Sequence, residues 1–178
     1  SVSLSGDAGD ELFGGYNRYH FAPKIWSYIR LLNPRLRSIV TKVLTSFSPQ
    51  LYNKILQPIQ KYLPLNIAQM NIADKIYKGS SVISSQTNIE LYQNLLSIWP
   101  YTESVILDNN GELMASNDIS VNLISDNFIE NMMITDTINY LCDDILVKVD
   151  RAAMSQSLET RIPFLNKEVF EFAWSLPI

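Results

Sequence analysis

"SVSLSGDAGDELFGGY", residues 1–16, holds four of the chain's six glycines (Gly6, Gly9, Gly14, Gly15) and the carboxylates Asp7, Asp10 and Glu11. Val2 and Leu4 alternate with small polar residues, which is the pattern of a strand end. The stretch then turns through small residues into helical spacing. Ser5 and Gly6 leave the backbone open to close approach by another molecule. A helix start beyond them supplies free N–H groups and partial positive charge, the ingredients of an anion-binding turn. Asp7, Asp10 and Glu11 stand at i, i+3 and i+4, so the spacing predicts that they project from one face. Acids in a first turn also serve as plain complements to the helix dipole. If a phosphate binds there, the acids repel it unless a divalent cation lies between, and Mg²⁺ binds through one or two carboxylates plus phosphate oxygens. The spacing makes "SGDAGDELFGGY", residues 5–16, a nucleotide–metal candidate. The signatures GxxxxGK[ST] and GxGxxG are both absent.

Outward from this stretch nearly everything reads as helix. Apolar residues recur at Leu12, Tyr16, Tyr19, Ile25, Tyr28, Ile29 and Leu32, with Pro23 expected to kink or split the run. Asn33-Pro34 marks a break and restart, and residues 34–47 read as a basic amphipathic helix. Ser48-Pro49 restarts a helix that continues toward Pro64. The next is expected to end at Gly79 as a C-cap, followed by a loop over 80–88. Thr87 is placed to cap the helix after it, which Pro100 closes, and residues 107–113 carry turn chemistry around Gly111. A long helix is expected from 127 to 158, an extended piece before Pro163, and a last helix capped by Asn166. One strand among many helices means an all-α domain, or the helical part of an α/β domain.

The chain has 178 residues, 47% of them apolar, enough for one domain with a real core. No apolar run reaches the roughly 18 residues of a membrane helix, and no signal-peptide pattern opens the chain. One cysteine, Cys142, and one histidine, His20, exclude an internal disulfide and a His/Cys zinc site. The lone cysteine points to a reducing, cytoplasmic setting. Net charge is −4, placed unevenly. From 12 to 73 there is no acid against eight bases (Arg18, Lys24, Arg30, Arg35, Arg37, Lys42, Lys54, Lys61), whereas from 74 to 147 eleven acids face Lys75 and Lys78. The basic half reads either as a face for an anionic partner or as a solvated face attracted to the acidic half. Its bases never form a run, which argues against nucleic acid. The sequence begins inside a strand and stops where a helix ends, so it is expected to be a piece of a longer protein.

The second informative stretch is "YLCDDILVKVDRAAMSQSLETRIPFLN", residues 140–166. Ile145, Leu146, Val147, Val149, Ala152, Ala153 and Met154 cover most of a helix circumference, which predicts a buried helix. It nevertheless carries Asp143, Asp144, Lys148, Asp150 and Arg151, with Asp144, Lys148 and Arg151 on one seam. Buried charges must be paired or used, so these read as a salt-bridge network that fixes packing or as substrate-site charges. Glu159 and Arg161 are placed to extend the network, and Cys142 reads as a small buried hydrophobe.

Together, "LSGDAGDELFGGYNRY" and "DDILVKVDRAAMSQSLETRIPFLN" resemble the synthetase domain of the glutamine-dependent asparagine synthetases, whose pattern is roughly LSG[DE]G[GS]DE-FGGY followed by DDILVKVDR-SM---LE-R-PFLD. The two blocks, residues 4–19 and 143–166, cover a little under a quarter of the chain in the family's order. The resemblance implies a mainly helical part of an α/β pyrophosphatase-type (adenine nucleotide alpha hydrolase-like) synthetase domain over residues 1–178, with one strand at its start. It implies adenylation of an aspartate side chain by ATP and Mg²⁺, with release of pyrophosphate, then attack by ammonia from an N-terminal glutaminase domain. By position, Leu4, Ser5 and Gly6 match the residues at the ATP nucleoside. Asp7 matches the acid implicated in forming the acyl-adenylate, and Asp10 the Mg²⁺ carboxylate. Asp143 and Asp144 lie near an acid that lines the substrate site, and Glu11 joins these candidates.

Ala8 stands where glycine is usual, Cys142 where proline is common, and Asn166 where aspartate is. The family's SGG-x-DS phosphate loop, glutaminase cysteine and R-x-K-x-GF lysine are not among these residues, so the 178-residue piece alone is expected to be inactive. Expected partners are small molecules, the glutaminase domain and at most a second copy of the chain, with no membrane or nucleic acid. A paralogue acting on another carboxylate and a non-catalytic helical module are the alternative readings.

Overall fold

The computed structural model describes residues 1–48, 50–52, 54–55, 72–97 and 125–178. The expected helix over 49–64 lies largely outside these residues, and the turn around Gly111 lies wholly outside them. The chain divides into two compact units, Ser1–Pro23 with Asn110–Ile178, and Lys24–Asn109.

The first unit carries both sequence blocks. Strand β1 (Val2–Leu4) leads to the short helix α1 (Gly9–Phe13). Gly14 ends α1 in the left-handed region at φ 66°, and the Gly15 N–H returns to the Asp10 carbonyl at 2.9 Å. That glycine ending, and not Pro23, splits the run after Asp7: helix α2 (Asn17–Ile29) continues through Pro23. The missing proline N–H removes one backbone bond, and Tyr19 and Ala22, both buried, hold the turn before it.

The helix expected over 127–158 is interrupted in kind. Helix α6 (Phe128–Thr135) passes directly into a π-helix (Asp136–Leu146) and then α7 (Val147–Met154). Ser157, at φ 52°, closes α7. Its N–H bonds the Met154 carbonyl and the Leu158 N–H bonds the Ala153 carbonyl, both at 3.0 Å, which is a Schellman ending. The chain then forms a second strand, β2 (Glu159–Arg161), where the sequence pattern showed only extended backbone. β2 pairs parallel with β1 in the register Val2 with Glu159, Ser3 with Thr160 and Leu4 with Arg161. Two strands, rather than the single one expected, are therefore present among the described residues. A 3-10 turn (Pro163–Leu165) precedes α8 (Lys167–Ser175), whose Asn166 cap accepts from the Glu168 N–H at 2.9 Å as expected. Ala8, Leu12, Leu141 and Ala173 form the core, with Ile145, Leu146, Ile162, Phe164, Phe170 and Trp174 packed against it.

The α7 segment corrects the buried-helix reading. None of its residues is buried, and Asp143, Asp144, Lys148, Asp150 and Arg151 are all exposed. The apolar residues of this stretch divide between the π-helix, where Leu141 reaches the core, and an α7 that remains at the surface. The wider turn of a π-helix breaks the 3.6-residue periodicity on which the reading rested.

In the second unit, α3 (Pro34–Thr45) begins as predicted, with Pro34 in its first turn and the Asn33 side chain accepting from the Arg35 N–H at 2.9 Å. α4 (Ile72–Ser84) runs through Gly79, so Gly79 is no cap and residues 80–84 are helix, not loop. Nothing stands where a Gly79 Cβ would lie, and a helical glycine costs about 1 kcal/mol. Packing reverses that preference: Ser80 is fully buried and its carbonyl accepts from the Thr41 hydroxyl of α3 at 3.2 Å. Thr87 caps α5 (Asn88–Leu96), accepting from the Glu90 N–H at 3.1 Å. Arg37, one of the eight bases, is buried. Its guanidinium donates to the carbonyls of Leu32 (2.9 Å) and Ser85 (2.8 Å), so it ties the turn after α2 to the end of α4 and is not part of a surface patch.

Candidate functional site

The site begins where β1 ends. The Ser5 N–H extends the ladder by donating to the Arg161 carbonyl at 2.9 Å, and the Ser3 and Thr160 hydroxyls lie 3.5 Å apart across it. Beyond the ladder the Ser5 hydroxyl donates to Asp7 Oδ2 at 2.5 Å, and the Gly9 N–H closes the turn on the Gly6 carbonyl at 3.3 Å. Nothing lies within 4 Å of the position a Gly6 Cβ would take, so the backbone there is open. Ala8 holds φ 70°, the region that glycine adopts without cost, while its methyl lies in the core. The Phe164 ring of the second block packs over Gly9, 3.4 Å from the position a Cβ would take there. Phe164 also meets Phe13 edge-on at 5.8 Å.

The three acids do not share one face, contrary to the spacing argument. α1 starts only at Gly9, so Asp7 lies in the turn and the helical offset does not apply to it. Asp10 is exposed, folded over Gly15, where a Cβ would come within 2.0 Å of Asp10 Oδ1. Glu11 is 1% exposed and accepts from the Tyr16 hydroxyl at 2.6 Å, which makes it a structural group. The Tyr16 phenol is pushed far above its ordinary range, first by burial, then by its hydrogen bond to Glu11 and the charges of Glu11 and Tyr140, with Arg18 pulling weakly the other way. It stays protonated and donating at any working pH.

The charged residues of the second block are brought to the same unit but not into one network. Lys148 pairs with Asp144 at 3.4 Å on the surface, and Arg161 pairs with Glu159 at 2.8 Å, not with α7. Cys142 is exposed rather than buried, its thiol donating to the Thr137 carbonyl at 3.3 Å. Among the described residues no three His, Cys, Asp or Glu side chains are grouped as a metal cage. A single exposed carboxylate such as Asp10 suits Mg²⁺, which keeps several waters and needs only one or two protein ligands beside phosphate.

Sequence reasoning missed a second cluster. Asp136 is fully buried at the head of the π-helix and receives Arg18 Nη2 at 2.6 Å, Arg18 Nε at 3.1 Å and the Tyr19 hydroxyl at 2.5 Å on one oxygen. The Arg18 guanidinium lies 4.0 Å from the Tyr16 ring centre and 5.3 Å from that of Tyr140. The available signal was an acid within the apolar run "MMITDTINYL" and an arginine between two tyrosines in "GGYNRY".

The model of the asparagine synthase family matches residues 1–178, and the chain belongs to that family. It is 29% identical over 176 residues to a putative glutamine-hydrolysing asparagine synthetase of Mycobacterium tuberculosis, covering 99% of this chain and 24% of that protein. It is 27% identical over 180 residues to glutamine-hydrolysing asparagine synthetase 1 of Bacillus subtilis, covering 99% of this chain and 25% of that protein. The chain thus spans about a quarter of the length of the curated relatives it matches. No solved structure matches it. Among the described residues no helix is long and apolar enough to cross a membrane.

Proposed function

We propose that this chain is the part of an asparagine synthetase that holds one wall of the ATP site, in a longer enzyme that activates the side-chain carboxylate of aspartate. In that reaction a carboxylate oxygen attacks the α-phosphorus of ATP, the bond to the β-phosphate breaks and pyrophosphate leaves. Ammonia then attacks the acyl carbon, AMP departs and a proton is released, leaving the amide. The observation that carries the reading is the β1–β2 pairing, which joins the two sequence blocks edge to edge and ends at an open Gly6 beside Asp7. Leu4, Ser5 and Gly6 line the nucleoside. The Ser5 hydroxyl, donating to Asp7, holds that carboxylate at the ladder's end. Asp10, exposed and with no Lys or Arg paired to it among the described residues, would hold Mg²⁺, which when bound would offset the negative charge of the departing pyrophosphate. Asp143 and Asp144, exposed on the π-helix, face substrate, and Lys148, Asp150 and Arg151 are solvated charges around them.

The full-length gene product is expected to catalyse aspartate-dependent exchange of label between pyrophosphate and ATP. Asp10→Asn lowers the rate by about tenfold or more and shifts the Mg²⁺ dependence to higher concentration, because a metal ligand is removed. Unchanged rate and Mg²⁺ dependence would remove Asp10 from the metal site. Exchange supported by a carboxylate other than aspartate would move the enzyme to a paralogous substrate.

A further inference from the structure

We propose that Arg18 and Asp136 are positioning residues, whose buried ion pair fixes the head of the π-helix and thereby sets where Asp143 and Asp144 stand relative to Ser5, Asp7 and Asp10. The proposal rests on the functional reading above for its activity readout.

A π-helix is held by bonds one residue wider than those of an α-helix, so it can relax by passing its extra residue along the chain. A one-residue change of register turns every later side chain by about 100° around the axis, since 3.6 residues make a turn. Asp143 and Asp144 lie within this π-helix, so their direction depends on where the register is pinned. The far end is pinned: after α7 the Schellman turn at Ser157 delivers the chain into β2, whose pairing with β1 fixes Glu159 opposite Val2. The near end is pinned by Asp136, with Arg18 and Tyr19 bonded to its carboxylate at 2.5–3.1 Å. Tyr16 lies under the Arg18 guanidinium, and Tyr140, one turn into the π-helix, lies near it. Tyr16 in turn holds Glu11, the neighbour of Asp10 on α1.

Both anchors therefore come from residues 1–19. The first block grips the second at its two ends, through β1 and through Arg18, and the charged segment is stretched between them. A planar guanidinium suits this task, because its Nε–H and an Nη2–H converge on the one oxygen Asp136 Oδ2 and so fix direction as well as distance.

The test separates positioning from mere stabilisation. Removing one partner alone leaves a buried charge and endangers folding, whereas apolar replacement of both partners of a buried pair is often tolerated. In the full-length protein, Arg18→Met combined with Asp136→Leu is measured for thermal midpoint, pyrophosphate exchange and amide hydrogen exchange. The expected result is a midpoint close to wild type, kcat reduced by about tenfold or more with KM for ATP within about twofold, and faster amide exchange over 136–149. Wild-type kcat and wild-type amide protection in the folded double variant overturn the proposal. If the wild-type protein itself shows no pyrophosphate exchange, the functional reading fails, and amide exchange alone decides the positioning: faster exchange over 136–149 supports it, unchanged exchange overturns it. Should the double variant not fold, Arg18→Lys, which keeps the charge but loses the fork, is judged on the same readouts, and wild-type values again overturn the proposal.

Discussion

Tyr16 concentrates the chemistry of the first block in one side chain. Its hydroxyl donates at 2.6 Å to Glu11, which is almost fully buried, and its ring lies under Arg18 at 4.0 Å. Losing that donor leaves a buried carboxylate less well satisfied, so Tyr16→Phe is expected to cost about 2 kcal/mol at neutral pH, read from the urea midpoint. The pH dependence has a definite sign. Burial, with Glu11 and Tyr140, raises the folded phenol above the ordinary value near 10. The contribution is therefore fully present below about pH 10 and is lost as pH rises beyond it, because the unfolded chain ionises first. The wild-type urea midpoint should fall more steeply above about pH 10 than that of Tyr16→Phe. Equal slopes would mean that Tyr16 titrates like an exposed phenol.

At the scale of elements, the ends of helices show which signals are local. Asn33, Thr87 and Asn166 each accept from a backbone N–H two or three residues on, so their roles were readable without knowledge of the fold. Gly79 carried an equally local signal and was overridden, because α4 gains more from packing Ser80 against α3 than it loses to glycine. Left-handed residues divide in the same way. Ser157 (φ 52°) is exposed at the Schellman turn, so Ser157→Gly relieves backbone strain and is expected to stabilise by about 0.5 kcal/mol. Ala8 (φ 70°) is buried, so Ala8→Gly gains the same relief but gives up a core methyl worth about 0.8 kcal/mol and adds chain entropy. Its net effect should be neutral to slightly destabilising. Parallel urea titrations of the two variants check the contrast, and equal shifts would show that burial of the Ala8 methyl contributes nothing.

At the scale of the molecule, Phe164 shows how two distant blocks become one surface. Its ring covers Gly9, meets Phe13 and packs on the core of the first unit. Phe164→Ala is expected to cost about 3 kcal/mol and to speed amide exchange in β1 and β2 together. Loss of protection in only one strand would show that they are not held as a pair. The helical character of the chain, the caps at Thr87 and Asn166, the two blocks and their family were legible in the sequence alone, because propensity, capping and motif spacing act over a few residues. The sequence placed Ser5 and Gly6 just beyond a strand end, and they stand there, with Asp7 in the turn and Asp10 on α1. Only the tertiary structure decided that residues 159–161 form a strand, that Glu11 turns inward while Asp10 faces solvent, and that the charges of α7 lie outside. It alone paired Arg18 with Asp136, across 118 positions of sequence. The physical reason is that strand pairing, burial and ion pairing depend on which distant segment supplies the partner, and no local periodicity carries that information.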